Sequence, residues 1–147
     1  MNDALKPYEL RFDSRRHYLH AHIHAKEMTR ATALSYLQEV ANECDRGNYR
    51  RLLLERDVPM MLNSLDLFQT TNDFLDMVKY VRVAVLNQYK DQQTAMNFAL
   101  LISANRKARY NVFTDRGEAE KWLLEGVRIY EREPPPPIFV RQNNGPT

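Results

Sequence analysis

Alternating apolar and charged residues near the start of the chain predict a short β-hairpin. Tyr8, Leu10 and Phe12 alternate with charged residues, which is the period-2 pattern of a half-buried strand. The polar run 13–16 is suited to a turn, and an extended pattern resumes over 18–25. We predict that these segments pair as a hairpin, although no Asn-Gly or Asp-Gly dipeptide defines the type of its turn.

A helix is predicted directly after the hairpin. Thr29 can cap its amino-terminal end. Gly47 stands where a C-cap is expected, because glycine adopts the left-handed conformation without steric cost. Between these two residues, apolar side chains recur at the three- and four-residue spacing of a helix: Ala33, Leu37, Val40, Ala41 and Cys44.

Beyond Gly47, strands and helices alternate. Strands are predicted over 51–55, 81–86 and 109–113, and the central one is β-branched at alternate positions. Helical segments separate these strands, so right-handed crossovers and a mostly parallel sheet are expected. The predicted fold is therefore α/β, with a mixed sheet, an N-terminal hairpin and the order β-β-α-β-α-β-α-β-α.

The three later helices have polar residues at their predicted starts. The first begins at Asn63 or Ser64, and the second is capped by Asp91. The third is capped by Asp115, with Glu118 completing a capping-box pattern. Four apolar residues are predicted to form the buried face of the first of these helices: Leu65, Phe68, Leu75 and Val78.

Chain length and proline content divide the sequence into a domain and a tail. The chain has 147 residues, the usual size of one domain. We assign residues 1–128 to that domain and 129–147 to a Pro-rich C-terminal tail, in which 134–137 is a run of prolines that favours an extended polyproline arm. The tail is either disordered or an arm that docks Phe139 on its own domain or on a neighbouring subunit.

Composition and charge narrow the classes of function. The difference between 21 Lys+Arg and 19 Asp+Glu is +2, which excludes strong non-specific attraction to nucleic acid as a default role. Neither a membrane-spanning run nor a signal segment after Met1 is recognisable. The single cysteine, Cys44, allows no internal disulfide and no cysteine-based metal cluster. A cytoplasmic location is expected, and no cofactor is predicted.

One segment resembles a known family. The sequence VFTDRGEAEKWL at 112–123 resembles the last strand and helix of bacterial proteins related to anti-sigma factor antagonists, which belong to the STAS class (sulfate transporter and anti-sigma factor antagonist). The strand 81–85 and the element order over residues 8–126 agree with that class. The resemblance implies a STAS-like domain that acts as a non-enzymatic regulatory module of the bacterial cytosol and binds another protein.

The resemblance also implies where a partner would bind. In antagonists of this class, a serine at the start of the second helix, within an Asp-Ser motif, is phosphorylated by a partner kinase. Here Asp57 is followed by Val58, so that motif is absent, and Ser64 is only a displaced substitute. The corresponding region supplies the predicted partner-binding residues: Asp57, Met60, Met61, Ser64 and Asp66.

Three histidines form an unusual local pattern. His20, His22 and His24 alternate in the second predicted strand, so their imidazoles share one face of the sheet. Imidazoles at this spacing can approach one first-row metal ion, with carboxylate or water as further ligands. The alternatives are a polar sheet face that meets solvent or another subunit, and association that depends on pH because the histidines change charge near neutrality.

The same sheet face suggests a second kind of site. If the apolar faces of the strands meet the helices, the histidines share the opposite face with four charged residues: Arg51, Glu55, Arg82 and Arg109. Guanidinium groups beside imidazoles suit phosphate or carboxylate ligands, so a small-ligand protein or an unrecognised enzyme is the alternative function. Two other interpretations of this face remain open: the charged side chains are simply solvated, or the face is a homodimer interface. Neither a Gly-x-Ser-x-Gly elbow nor a His-Glu-x-x-His motif occurs in the sequence.

Overall fold

The fold is given by a computed structural model, which describes residues 6–127. Its strands are β1 (Glu9–Ser14), β2 (Leu19–His24), β3 (Arg51–Asp57), β4 (Arg82–Asn87) and β5 (Tyr110–Phe113). Its α-helices are α1 (Arg30–Arg46), α2 (Ser64–Met77), α3 (Gln93–Asn105) and α4 (Arg116–Leu123), and a short 3₁₀ helix (Lys90–Gln92) precedes α3. The predicted element order is confirmed.

The strands form one mixed sheet in the order β1-β2-β3-β4-β5. β1 and β2 pair antiparallel, with Leu10 opposite Ile23, as predicted for the hairpin. The later pairs are parallel, as expected for strands joined through helices. In the parallel register His22 is opposite Glu55, and Arg51 is opposite Arg82.

Helices cover both faces of the sheet. α1, α2 and α3 pack on the face that carries Ile23, Leu54 and Val85, which is the larger core. α4 packs on the opposite face, where Leu123 meets Leu53. The central strands are therefore buried on both sides, which explains the continuous apolar runs 52–54 and 83–86 in the sequence.

The two ends of α1 agree with prediction in position but not in every detail. The Thr29 side chain accepts a hydrogen bond from the Thr32 amide, so the predicted N-cap is confirmed. Gly47 is the C-cap, but its φ of −91° is ordinary, and the left-handed residue is Asn48 with φ 57°. A glycine is needed at 47 for another reason, because a Cβ there would collide with the Tyr49 ring. The predicted left-handed conformation at Gly47 is wrong.

α2 and α3 differ from prediction in the faces and caps they use. Asn63 caps α2, since its side chain accepts from the Asp66 amide at 2.8 Å. Leu65 and Phe68 were predicted to be buried, but 64% and 47% of their surfaces are exposed. The buried face of α2 is made of other residues: Leu67, Thr70, Thr71, Phe74 and Leu75. Asp91 does not cap α3, because it lies within the 3₁₀ helix that leads into it.

Some predictions concern residues outside the described range. The Pro-rich tail 129–147, including the docking arm with Phe139, lies outside residues 6–127. Within 6–127, none of the helices combines the length and apolar character needed to cross a membrane.

Candidate functional site

The predicted partner-binding segment runs from the end of β3 to the first turn of α2. Asp57 is the last residue of β3, and its carboxylate accepts a hydrogen bond from the Tyr89 hydroxyl at 2.7 Å. The other carboxylate oxygen lies 3.0 Å from His24 Nδ1. The Tyr89 hydrogen bond is the main cause that lowers the pKa of Asp57, so this carboxyl is held ionised.

The other predicted residues of the segment divide into exposed and inward-facing groups. Met60 and Ser64 are exposed, and Asp66 is half-buried in the first turn of α2. Met61 instead lines an internal cavity beneath α2. The structure therefore brings Met60, Ser64 and Asp66 to the outside, whereas Met61 faces the interior.

Two apolar residues extend this exposed region along α2. Leu65 and Phe68 are three residues apart, so they occupy the same side of the helix. Met60, in the loop that leads into α2, is also exposed. We call these three exposed apolar residues the α2 surface (Met60, Leu65 and Phe68). The sequence pattern did not reveal this surface, because two threonines take buried positions that apolar residues usually occupy.

The histidines share a face as predicted, but each has a different neighbour. His20 Nε2 lies 2.9 Å from Glu55 Oε1, which also accepts from Arg116 at 2.5 Å. His22 stacks beside His20 with 6.5 Å between ring centroids, and its Nδ1 lies 3.5 Å from Arg11. In the described range 6–127, no group of three or more His, Cys, Asp or Glu residues is placed to hold a metal ion.

Burial dominates the electrostatics of His20. Loss of solvation lowers its pKa below the ordinary 6.5, and the charge of Arg116 lowers it further. The hydrogen bond with Glu55 acts in the opposite direction but does not reverse the shift. His20 is therefore a neutral partner of a structural carboxylate that joins β2, β3 and α4.

Two arginines of the predicted ligand site hold the carboxyl-terminal end of α4. Arg51 Nε donates to the Leu123 carbonyl at 3.0 Å, and Arg82 Nη2 donates to the Trp122 carbonyl at 2.9 Å. A helix leaves its last carbonyls unpaired and its carboxyl-terminal end partly negative, so two guanidinium groups are favourable there. Arg109 instead donates to the Tyr80 carbonyl at 3.2 Å.

We call the side of the sheet that carries the three histidines and Arg51, Arg82 and Arg109 the His/Arg face. The expectation that this face is an open polar surface is wrong for its centre. α4 packs over this part of the sheet through Ala119 and Leu123. The reason is that a short amphipathic helix with its own apolar stripe follows β5 and can return across the face. The histidines on β2 remain beside α4, and His24 is exposed.

A buried polar network lies next to the predicted partner-binding segment, and the sequence analysis does not predict it. Arg56 and Gln92 have only 8% and 3% of their surfaces exposed, and Arg56 Nη1 donates to Gln92 Oε1 at 2.5 Å. Asn87 Nδ2 donates to the same oxygen at 2.8 Å. The sequence predicts a strand over 51–55, whereas β3 continues to Asp57 and includes Arg56. An arginine two residues beyond the apolar run 52–54 is the available signal.

Comparisons with known proteins identify the fold of this chain but do not assign it to a family. No family model matches the chain, and none of the curated proteins matches it. One similar solved structure is an uncharacterised protein of the DUF3478 family with a SpoIIAA-like fold, from Shewanella loihica PV-4. The TM-score is 0.50 at 16% identity, and the match covers 84% of this chain and 98% of the other.

A second similar structure is the anti-sigma factor antagonist SpoIIAA in its unphosphorylated form. Its TM-score is 0.47 at 9% identity, with 78% of this chain and 94% of that chain covered. The Shewanella likeness shows that this chain has a SpoIIAA-like fold. The predicted STAS-like domain is thus confirmed at the level of the fold.

Proposed function

We propose that this protein is a non-enzymatic regulatory module of the bacterial cytosol that binds another protein through the α2 surface. The SpoIIAA-like fold supports a general role in protein interaction. The observation that carries the proposal is the exposure of Leu65 and Phe68 on one side of α2. Large apolar side chains grouped on a surface are typical of sites where proteins meet.

The neighbouring helix α3 also carries an exposed apolar residue. Arg106 at the carboxyl-terminal end of α3 donates to Asn72 Oδ1 at 3.0 Å, which fixes the relative height of α2 and α3. Phe68 lies one turn before Asn72, and Leu101 lies about one turn before Arg106 with 58% of its surface exposed. Exposed apolar residues therefore stand at a similar level on two adjacent helices.

Polar groups beside the α2 surface can set the specificity of binding. Ser64 is exposed at the first residue of α2, and Asp66 lies in the same turn. An interface with an apolar centre and a polar rim is typical of protein complexes. In this proposal Asp57, Ser64 and Asp66 belong to the rim, whereas Met61 supports the helix from inside.

The alternative function, a ligand or metal site on the His/Arg face, lacks comparable support. Arg51 and Arg82 already bind the carbonyls at the end of α4. A ligand of these guanidinium groups would have to compete with that helix for the same donors.

Affinity capture from the source cells with matched baits tests the proposal. The baits are the wild type, a Leu65→Ser/Phe68→Ser variant and a Tyr80→Ser variant, since Tyr80 is 74% exposed and lies outside the α2 surface. We expect a partner that the wild type and Tyr80→Ser retain and the double variant loses. A set of captured proteins that is identical for all three baits would contradict the proposal.

A further inference from the structure

A partly polar cavity lies between helices α1–α3 and the sheet. Its volume is about 60 Å³, and most of its lining is apolar, including Met28, Leu54 and Phe74. Five polar or amphipathic side chains also line it: Tyr36, Arg56, Thr70, Thr71 and Tyr110. The cavity lies on the opposite face of the sheet from α4 and is distinct from the α2 surface, which α2 presents to solvent.

The guanidinium of Arg56 is buried with only neutral hydrogen-bond acceptors. It donates to the Val58 carbonyl at 3.3 Å, the Met60 carbonyl at 2.7 Å and the Gln92 side chain at 2.5 Å. Among residues 6–127, no carboxylate forms an ion pair with it, although Arg56 is only 8% exposed. Buried charges in proteins are usually paired, so an uncompensated cation at a cavity wall is a site that suits an anion.

The hydroxyl of Thr70, a second polar group at the cavity, has no hydrogen-bond partner among the described residues 6–127. Thr70 Oγ1 is buried, and the residue is only 4% exposed. A buried hydroxyl that makes no hydrogen bond is costly and uncommon in folded proteins. Because Thr70 lines the same cavity as Arg56, one ligand can satisfy both groups.

Two phenols add neutral hydrogen-bond donors to the lining of the cavity. Burial raises the pKa of both Tyr36 and Tyr110, and the nearby positive charge of Arg56 opposes this without reversing it. Both hydroxyls therefore keep their protons at neutral pH and can donate to an anionic oxygen.

We propose that this cavity binds a short aliphatic monocarboxylate, with its carboxylate on Arg56 and Thr70 and its chain directed past Met61 and Leu62. A carboxylate matches the planar fork of a guanidinium and also accepts from hydroxyl groups. A volume of about 60 Å³ holds the polar head and the first carbons. Met28, Met61 and Met96 line the remaining space, and flexible thioether side chains can move to admit more of the chain.

Titration of the full chain with hexanoate tests the proposal, with acetate and 1-hexanol as comparators. We expect saturable binding of hexanoate by calorimetry, weaker binding of acetate by about fourfold for each missing methylene, and binding of 1-hexanol weaker by about tenfold. Amide shifts in an NMR titration should cluster around Arg56 and Thr70. Absence of hexanoate binding would overturn the proposal, and equal binding of hexanoate and 1-hexanol would overturn the role of Arg56.

A variant that keeps the shape of the cavity separates binding from folding. Thr70→Val removes only the unpartnered hydroxyl, so the fold is expected to persist while hexanoate binding weakens by about tenfold. Thr94→Val is the matched control, because Thr94 lies on the exposed side of α3 outside this cavity. Arg56→Met should abolish hexanoate binding, but it also removes the hydrogen bonds from Arg56 to the carbonyls of Val58 and Met60. Unchanged affinity in Thr70→Val would therefore be the outcome that excludes the proposed position of the carboxylate.

Discussion

The guanidinium of Arg82 lies over the indole ring of Trp122, with 3.8 Å between Cζ and the ring centroid. The same guanidinium donates to the Trp122 carbonyl and to Glu125 Oε1, the latter at 3.0 Å. One side chain on β4 thus makes a cation–π contact, a helix C-cap and an ion pair with the end of α4. This arrangement explains why an arginine occupies a half-buried position in the strand.

Arg82→Lys is expected to destabilise the protein although it preserves the charge. Arg82 donates to the Trp122 carbonyl from both Nε and Nη2. Lysine cannot reproduce this planar fork, so the paired donation is lost and the stacking on the indole ring weakens. We expect a loss of about 1–2 kcal/mol in the free energy of unfolding, measured by urea denaturation. Arg109→Lys is the control, because Arg109 is exposed and its guanidinium donates to the Tyr80 carbonyl alone among residues 6–127. Equal losses in both variants would refute the special role of Arg82.

Gly47→Ala tests close packing rather than backbone conformation. Its φ of −91° suits any residue, but the new Cβ would collide with the Tyr49 ring, which hydrogen bonds through its hydroxyl with Ser14. We expect a loss of about 1–3 kcal/mol, because overpacking displaces the ring. Gly126→Ala is the complementary control, since its φ of 83° is left-handed and no atom of residues 6–127 lies within 4 Å of a Cβ there.

The two glycine variants should respond differently to a second change. Tyr49→Ala removes the obstructing ring, so Gly47→Ala should cost much less in that background. The cost of Gly126→Ala, about 1 kcal/mol from the backbone alone, should stay the same. A Gly47→Ala cost that is independent of Tyr49 would show that the collision is not its cause.

The order of elements was predictable because strand alternation and helix caps are local signals. Thr29 and Asp115 cap their helices as predicted, since each side chain accepts from an amide three residues later. The face of β2 also agrees with prediction, because Ala21 and Ile23 are buried on one side of the strand and the histidines lie on the other.

The faces of α2 and of the sheet were not predictable from such signals. Thr70 and Thr71 are buried while Leu65 and Phe68 are exposed, so hydrophobicity alone indicates the wrong stripe. Coverage of Arg51 and Arg82 by α4 depends on a helix more than 30 residues away in the chain. Tertiary packing decides both cases, and these are the features that define the candidate sites.

Acidification should destabilise the protein through His20. Burial lowers the pKa of His20 in the folded state below its ordinary 6.5, so the unfolded chain binds this proton at higher pH than the folded protein. This contribution to the free energy of unfolding is present above pH 6.5 and is lost as pH falls through the lowered pKa. The charged and titratable groups around His20 are Glu55, Arg116, Arg15 and the stacked ring of His22.

Urea denaturation between pH 7.5 and 5.5 measures this effect. The wild-type midpoint should fall with pH, and His20→Gln should reduce that fall, because glutamine can hydrogen bond with Glu55 without titrating. His24→Gln is the control, since His24 is exposed and pairs with the exposed Asp57. A pH dependence that is identical in the wild type and His20→Gln would contradict the account.

Cys44 should be inert in the folded protein. Burial raises its pKa to about 12, and only 3% of its surface is exposed. At pH 8 only about one thiol in ten thousand is ionised, so a thiol reagent should label Cys44 only after unfolding. Labelling rates measured against urea concentration should therefore follow the unfolding transition. Rapid labelling without urea would mean that α1 does not pack as described.

Site-specific photo-crosslinking in the source cells tests the central claim of protein binding most directly. A photoreactive phenylalanine analogue replaces Phe68 in one variant and Tyr80 in another, so both probes are aromatic and exposed. The account predicts a crosslink to a different protein from position 68 and none to that protein from position 80. Crosslinks from position 68 that reach only a second copy of this chain, or no protein at all, would contradict the claim.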